Sequence, residues 1–115
     1  LSVLAELGDI HAEQGNFREA LQVYRQLEAK RPKDPRILNN VAYALLESKG
    51  DLNEALRKAN EAVQLAPDAA AYWETLGNIH LKKGNGEQAV QAFRTLLGKG
   101  PQTAYHRYLL AIGLE

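Results

Sequence analysis

The sequence predicts an all-α fold in which antiparallel helix pairs stack side by side into an α-solenoid. Two observations support this prediction: a pattern of about 34 residues recurs along the chain, and each copy holds two helix-like apolar stripes separated by a turn. One helix pair cannot bury its apolar face alone, so successive copies must stack and share a core. The 115 residues suffice for one domain of about three repeats followed by a single helix.

The repeat is marked by glycine turns and by regularly spaced prolines. A glycine opens each turn and an alanine follows five residues later, in the segments 15–20, 50–55 and 84–89. Pro32, Pro67 and Pro101 come after these turns, at intervals of 35 and 34 residues. The single domain 1–115 therefore divides into repeats at about 1–34, 35–69 and 70–103, with a final helix at about 104–114.

Apolar residues at helical spacing predict two helices in each repeat. In the first repeat, Leu4, Leu7 and Ile10 form one stripe, and Gly15 supplies a left-handed residue that ends the helix. A polar residue that follows each turn is expected to cap the next helix, and a proline ends that helix. The expected caps are Asn16, Asp51 and Asn85. The six predicted helices before the final one span roughly 2–14, 17–30, 36–48, 52–65, 70–83 and 87–97.

Small residues mark the places where two helices are expected to approach each other closely. Glycine or alanine recurs at one position of the first helices and at one position of the second helices. These residues are Gly8, Ala42 and Gly77 on the first helices, and Ala20, Ala55 and Ala89 on the second helices.

Composition excludes several classes of function. Lysine plus arginine equals aspartate plus glutamate at 14 each, so nothing in the net charge points to nucleic acid. No apolar run approaches the ~20 residues that span a bilayer, so we expect no direct membrane insertion. The chain contains no cysteine and does not begin with methionine, and we expect it to be a piece of a longer protein.

The repeat resembles the tetratricopeptide repeat family. The third repeat carries the fuller pattern, with Trp73, Leu76, Gly77, His80, Gly84, Ala89, Phe93 and Pro101. The first repeat matches it at Leu4, Leu7, Gly8, His11, Gly15, Ala20, Tyr24 and Pro32, whereas Ala59 takes the aromatic position in the second. The run 52–68 is similar to repeats of bacterial arrays, some of which serve envelope assembly or export. The compartment stays open between bacterial cytoplasm and periplasm or cell envelope.

The resemblance implies a protein–protein interaction scaffold whose first helices line a concave groove. Carried onto this chain, the groove residues are Asp9, Arg36, Asn39, Asn40, Tyr43, Glu74, Asn78, Tyr105 and Tyr108. Over the wider set of first-helix positions that the resemblance assigns to the groove, acids outnumber bases: Glu6, Asp9, Glu13, Glu47 and Glu74 against Arg36 and Lys82. We therefore expect the bound protein or peptide segment to be neutral to basic. Asn39 and Asn40 either bind the ligand backbone or bond neighbouring helices, and Tyr105 and Tyr108 either anchor the ligand or cover the end of the stack.

The sequence gives little support for a cofactor site, a metal site or a catalytic nucleophile. The segment Gly84-Asn85-Gly86 resembles a dinucleotide fingerprint, but a helix precedes it where a strand is required, so no cofactor is expected. His11 and His80 occupy the same repeat position two repeats apart and cannot share a metal ion. No nucleophile motif surrounds Ser2 or Ser48. We therefore expect no enzyme activity.

Two further interpretations concern the kind of scaffold. Family members that bind acidic chaperone tails use a clamp of lysine, asparagine and arginine. In this chain those positions hold Ala5, Asp9, Asn40, Ala71 and Thr75, and Asn40 alone matches, so we do not expect binding of chaperone tails.

The alternative to a peptide-binding scaffold is a structural or oligomerisation segment of a longer array. Apolar residues at the two ends could then stack on further repeats or on a second copy: Val3, Leu7 and Ile10 at one end, and Leu109, Leu110, Ile112 and Leu114 at the other.

Overall fold

A computed structural model describes residues 2–97, which form six α-helices and, within that range, no strand. The helices are α1 (Ser2–Glu13), α2 (Phe17–Lys30), α3 (Pro35–Glu47), α4 (Leu52–Leu65), α5 (Ala70–Lys83) and α6 (Gly86–Leu97). The predicted all-α fold is confirmed, and the observed ends differ from the predicted ends by about one residue. The predicted final helix, with Tyr105 and Tyr108, lies outside the described residues.

The helices pair in chain order and the pairs stack. α1 packs on α2, α3 on α4 and α5 on α6, while α2 contacts α3 and α4 contacts α5. The first helices of the second and third pairs, α3 and α5, also touch each other. The core runs between these layers and is made mainly of alanine and aliphatic side chains, joined by the rings of Tyr24 and Phe93. Leu38, Val41 and Phe93 are fully buried. No helix within the described range is long and apolar enough to cross a membrane.

Two glycines permit the close approach expected within the helix pairs. A Cβ atom placed on Gly8 would lie 2.6 Å from Cε1 of Tyr24, and one placed on Gly77 would lie 2.3 Å from Cε1 of Phe93. Both distances are far below the ~3.5–4 Å at which carbon atoms attract each other. An aromatic ring on the second helix of the pair therefore fills the space that each glycine leaves open.

The turns follow the prediction in two repeats and depart from it in the second. Gly15 and Gly84 have positive φ angles of 80° and 83°, as a left-handed turn residue requires. In the second repeat the left-handed residue is Lys49, with φ 60°, and not Gly50. Gly50 is needed for space instead, because an added Cβ would lie 2.9 Å from Cδ2 of Leu45. The extra residue of this repeat thus moves the left-handed position one residue earlier.

The helix caps also correct the sequence interpretation. Asp51 caps α4 as predicted, since its carboxylate accepts from the backbone N–H groups of Asn53 and Glu54 at 2.9 and 3.3 Å. The prediction for Asn16 is wrong: its ψ of 69° is not extended, and its side chain makes no capping hydrogen bond to α2. A cap that the sequence reading missed is Asp34, which accepts from the N–H of Arg36 at 3.0 Å.

Ion pairs join α2 and the turn that follows it to α4 across the outer surface. Arg25 donates two hydrogen bonds to the Glu54 carboxylate, at 2.7 and 3.0 Å, and Lys58 pairs with Glu28. Lys33 forms a third pair with Glu61 at 2.5 Å. Hydrogen bonding from Arg25 lowers the pKa of Glu54. Arg25 and Lys58, on the second helices, are therefore each matched by a carboxylate of the neighbouring second helix.

Candidate functional site

Three of the predicted groove residues meet at a cavity between α1 and α3. This N-terminal cavity has a volume of about 190 Å³, and its polar wall consists of Ser2, Asp9, Arg31, Asp34, Arg36 and Asn40. Leu27 and Ile37 form an apolar part of the same wall. The fold thus brings Asp9, Arg36 and Asn40 together although up to 31 positions separate them in the sequence. Arg31 and Asp34 were missed because they lie around a turn that the helix pattern left unassigned.

The carboxylates of the N-terminal cavity already have partners, whereas its guanidinium groups do not. Asp9 accepts a hydrogen bond of 2.8 Å from the buried hydroxyl of Tyr24, and Asp34 caps α3. Burial, followed by the hydrogen bond to Asp9, raises the pKa of Tyr24. Within residues 2–97, neither Arg31 nor Arg36 forms an ion pair. The cavity can therefore donate hydrogen bonds to oxygen atoms of a ligand.

Tyr43 stands at the centre of the first-helix surface with its ring held from one side. It is 39% exposed, and its ring meets that of Phe17 edge to face, with centroids 5.7 Å apart and planes at 80°. Burial raises the pKa of Tyr43, and the charges of Glu47 and Glu74 raise it further. Both carboxylates therefore act electrostatically on the Tyr43 hydroxyl.

A second cavity opens where α3 faces α5. It has a volume of about 300 Å³ and is lined by Leu46, Glu47, Lys49, Asn78 and Lys82. Asn78 is the one residue of the predicted groove set in this wall. We call this the C-terminal cavity, and the first-helix surface that carries it together with Tyr43 and the N-terminal cavity is the groove face.

The two neighbouring asparagines have different surroundings. Asn40 lines the N-terminal cavity. Oδ1 of Asn39 is buried and makes no hydrogen bond to any described residue. An amide oxygen without access to the surface cannot receive a hydrogen bond from a ligand in this arrangement. Asn40 is therefore the better placed of the two for a ligand contact.

The histidines do not form a metal site in the part of the chain that the structure describes. His80 Nδ1 lies 3.3 Å from the side-chain nitrogen of Asn85, which holds His80 against the turn. Burial lowers the pKa of His80, and the charge of Lys83 lowers it further. Nδ1 of His11 is buried and has no hydrogen-bond partner there. No group of three or more potential ligands from histidine, aspartate and glutamate occurs among residues 2–97.

Stacked helix pairs with polar cavities on one face define a helical-repeat scaffold, and comparison with known sequences identifies the family. The tetratricopeptide repeat family matches residues 5–70, and a second match covers residues 46–112. The first match alone covers more than half of the chain. The chain belongs to the tetratricopeptide repeat family, whose domains act as scaffolds for protein–protein interaction.

Relatives and solved structures place the chain among diverse members of this family. The TPR repeat-containing thioredoxin TTL4 of Arabidopsis thaliana is 34% identical over 82 residues, which is 71% of this chain and 12% of that protein. Among structures, the first TPR of Spaghetti (RPAP3) bound to the HSP90 peptide SRMEEVD is 24% identical, with a TM-score of 0.87 over 96% of this chain and 88% of that one. The Sgt2 TPR domain from Aspergillus fumigatus is 23% identical, with a TM-score of 0.86 over 97% and 76% of the two chains. This chain spans between 9% and 41% of the lengths of the curated relatives that it matches.

Proposed function

We propose that the groove face binds an extended or helical segment of a partner protein, without catalysing a reaction. The observation that carries this proposal is the pair of polar cavities on the first helices, together with the partly exposed ring of Tyr43 on α3. A structural neighbour of the same fold is bound to a peptide, which supports the proposal by analogy.

The chemistry of the groove face suits the backbone of a peptide. The amides of Asn40 and Asn78 can each donate to a carbonyl and accept from an N–H group. Arg36 adds donors for carbonyl oxygens at the N-terminal cavity, because no carboxylate among the described residues pairs with it. Tyr43 offers an apolar ring face with a polar tip, a combination common in binding surfaces.

The charge around Tyr43 favours a neutral to basic ligand segment. Glu47 and Glu74 lie near its hydroxyl, so a lysine or arginine of the ligand is attracted to this point. Such complementary charges act mainly on association rate and specificity, and salt weakens them. Polar and partly hydrated contacts give modest affinity, in the micromolar range. The same acidic groups disfavour nucleic acid, and we propose no nucleic-acid partner.

The biological setting belongs to the proposal as well. Because the run 52–68 is similar to repeats of bacterial arrays, we propose a bacterial envelope or export assembly as the setting. Recovery of the native partner from that compartment would support this, and recovery of a partner unrelated to envelope or export would refute it without affecting the groove assignment.

Selection of peptides on the purified chain tests the groove directly. A displayed library of random 12-residue peptides should yield binders that are neutral to basic, and their binding should weaken as salt is raised. Tyr43→Ala combined with Asn78→Ala should reduce the affinity of a selected peptide at least about tenfold, which corresponds to ~1.4 kcal/mol. The thermal midpoint should stay within a few degrees, since both side chains lie at the surface.

A matched control separates groove binding from general effects of two substitutions. Gln22→Ala combined with Gln91→Ala removes two exposed side chains from the second helices, and binding should be unchanged. If the selected peptides bind the groove variant normally and lose affinity for the control variant, the second helices are the binding surface and the proposal is wrong.

The alternative function is a structural or oligomerisation segment of a longer array. It is favoured by one observation: Val3, Leu7 and Ile10 on α1 are 74%, 42% and 48% exposed. Under this alternative the library yields no groove binders and the chain associates end to end as its concentration rises. Sedimentation velocity across a concentration series distinguishes the two functions.

A further inference from the structure

The turn between α5 and α6 carries the dipeptide Asn85-Gly86, and no other asparagine in the sequence is followed by glycine. Gly86 is the first residue of α6 and is exposed, and a Cβ atom placed on it would meet nothing within 4 Å. The first backbone N–H groups of a helix have no partner inside that helix. The nitrogen that follows the Asn85 side chain therefore belongs to an exposed residue and takes no part in the helical hydrogen bonding.

Hydrogen bonds hold the backbone of Asn85 more firmly than its side chain. The backbone N–H of Asn85 donates to the carbonyl oxygen of His80 at 2.8 Å, and its own carbonyl oxygen accepts from the N–H of Ala89 at 3.0 Å. The side-chain nitrogen lies 3.3 Å from Nδ1 of His80, which is longer than a usual protein hydrogen bond. The half-buried side chain is therefore loosely tethered beside the nitrogen of the next residue.

The first repeat contains a matched asparagine in a turn of the same kind. Asn16 occupies the position of Asn85, its N–H donates to His11 at 2.8 Å, and its carbonyl oxygen accepts from the N–H of Ala20 at 2.9 Å. The glycine before each asparagine is left-handed, with φ 80° in the first repeat and 83° in the third. The two turns therefore share their backbone hydrogen bonds, but Phe17 stands where the third repeat has glycine.

We propose that Asn85 is a site of spontaneous deamidation, in which the neighbouring backbone modifies the side chain without an enzyme. The Gly86 nitrogen loses its proton to solvent, attacks the side-chain carbonyl carbon of Asn85, and forms the new C–N bond of a cyclic succinimide. The C–N bond of the side-chain amide breaks, and its nitrogen takes a proton from solvent and leaves as ammonia. Water then adds to one of the two ring carbonyls and opens the ring, which leaves aspartate or isoaspartate at position 85. Water is the one co-reactant.

The structure favours this reaction at Asn85 over Asn16. The attack requires rotation of the backbone that follows the asparagine, and glycine permits rotations that a residue with a Cβ atom resists. A turn with few buried contacts opens locally at low cost in free energy. At Asn16 the same rotation would draw the ring of Phe17 away from its edge-to-face contact with Tyr43. The remaining asparagines lie inside α3, α4 and α5, where helical structure restricts that rotation.

The two products should have opposite effects on the third helix pair. Asp51 holds the equivalent position in the second repeat, and its carboxylate caps α4. An aspartate formed from Asn85 should suit the N-terminus of α6 in the same way, because negative charge is favourable there. Isoaspartate instead inserts a methylene group into the main chain between two helices that meet closely at Gly77 and Phe93. Isoaspartate should therefore weaken the packing of α5 on α6.

Peptide mapping by mass spectrometry tests the proposal on the whole folded chain, incubated at mildly alkaline pH. Each deamidation adds one mass unit and one negative charge to the peptide that contains it. Asn85 should deamidate at least about tenfold faster than Asn16 in the same sample, because glycine leaves the backbone free to rotate. A methyltransferase specific for isoaspartate should label the Asn85 peptide. Equal rates at the two asparagines would overturn the proposal.

Gly86→Ala is the matched variant, because the added Cβ meets no atom within 4 Å and the fold should be kept. It should slow deamidation at Asn85 at least about fivefold and leave the rate at Asn16 unchanged. An unchanged rate at Asn85 would show that the glycine is not the cause and would overturn the proposal. A parallel incubation in urea measures the rate in the unfolded chain. Modification of Asn85 in urea alone would mean that the folded turn prevents the reaction, which also overturns it.

Thermal unfolding of the separated products tests the effect on the helix pair. Asn85→Asp supplies one product directly and should melt no lower than the parent, as expected for an added cap. The isoaspartate fraction, isolated by ion exchange after incubation, should melt below both. An isoaspartate fraction as stable as the parent would contradict the assigned effect on the packing of α5 on α6.

Discussion

Replacing Gly77 by alanine tests the packing of the third helix pair. Alanine is the better helix former by ~1 kcal/mol, so propensity alone predicts a more stable protein. The structure predicts the opposite, because the new Cβ would lie 2.3 Å from Cε1 and 2.7 Å from Cδ1 and Cζ of Phe93. Phe93 is fully buried, so its ring has little room to move away from the new Cβ. Overpacking of this kind costs ~1–3 kcal/mol, and this contact is close enough to lie at the upper end of that range.

Gly77→Ala should therefore lower the free energy of unfolding by about 2 kcal/mol, because the overpacking cost exceeds the gain in helix propensity. For a domain of this size that loss lowers Tm by roughly 6–10 °C, which calorimetry or circular dichroism resolves easily. Gly86→Ala is the matched control, because Gly86 is in the first turn of α6 and an added Cβ meets nothing within 4 Å. Gly8→Ala should fall between the two, since its nearest contact is 2.6 Å.

A double variant shows whether the loss comes from the ring. Phe93→Leu should make Gly77→Ala less costly by at least about 1 kcal/mol, a coupling typical of residues in contact. If Gly77→Ala melts at or above the temperature of Gly86→Ala, the contact between α5 and α6 is not as described and the reasoning is refuted.

Two further predictions concern a turn and the half-buried His80. Lys49→Gly should raise the free energy of unfolding in urea by roughly 0.5–1 kcal/mol, because the strain of a left-handed lysine exceeds the entropy cost of glycine. Gly84→Ala, at φ 83°, should lower it. A Lys49→Gly variant that is less stable than the parent would contradict the assigned turn. Stability should fall as pH falls from 7.5 to 5.5, because burial lowers the pKa of His80 below its ordinary 6.5, so that the unfolded chain binds more protons in this window. His80→Gln should reduce that dependence in urea titrations, and an equal pH dependence in the variant would exclude His80 as its source.

Local sequence signals predicted most of the fold. Glycine, alanine and proline recur every 34 or 35 residues. Each of these residue types restricts the local structure: glycine permits a left-handed turn, alanine a close helix contact, and proline the end of a helix. The recurrence of small residues also predicted that two helices approach each other closely at Gly8 and Gly77. The structure was needed to identify the rings of Tyr24 and Phe93 as the neighbours.

The failures of prediction concern helix caps and contacts between helices. Asn16 and Asp51 hold the same repeat position, yet only Asp51 caps its helix, because the backbone at Asn16 is not extended. Asp34 could have been recognised as a cap, since proline follows it at the first helical position. By contrast, the pair Arg25–Glu54 joins side chains 29 positions apart on different helices, and no sequence pattern reports it.

The candidate site was predicted in part. The resemblance placed Asp9, Arg36 and Asn40 on the first helices, and the structure joins them at one cavity. It could not predict that Tyr24 already bonds Asp9, because that contact depends on how α1 and α2 are rotated about their axes. Tyr105 and Tyr108 lie outside the described residues, and their place in the groove stays a prediction.

A two-dimensional NMR titration of the isotopically labelled chain with a selected groove peptide shows which helices the peptide contacts. If the first helices form the binding surface, the side-chain amides of Asn40 and Asn78 and the backbone amides around Tyr43 should shift in a saturable manner. The backbone amides of α2 and α4, whose outer surfaces carry the ion pairs, should shift little. Shifts concentrated on α2 and α4, with the amides of Asn40 and Asn78 unmoved at saturation, would contradict the claim that the first helices form the binding surface.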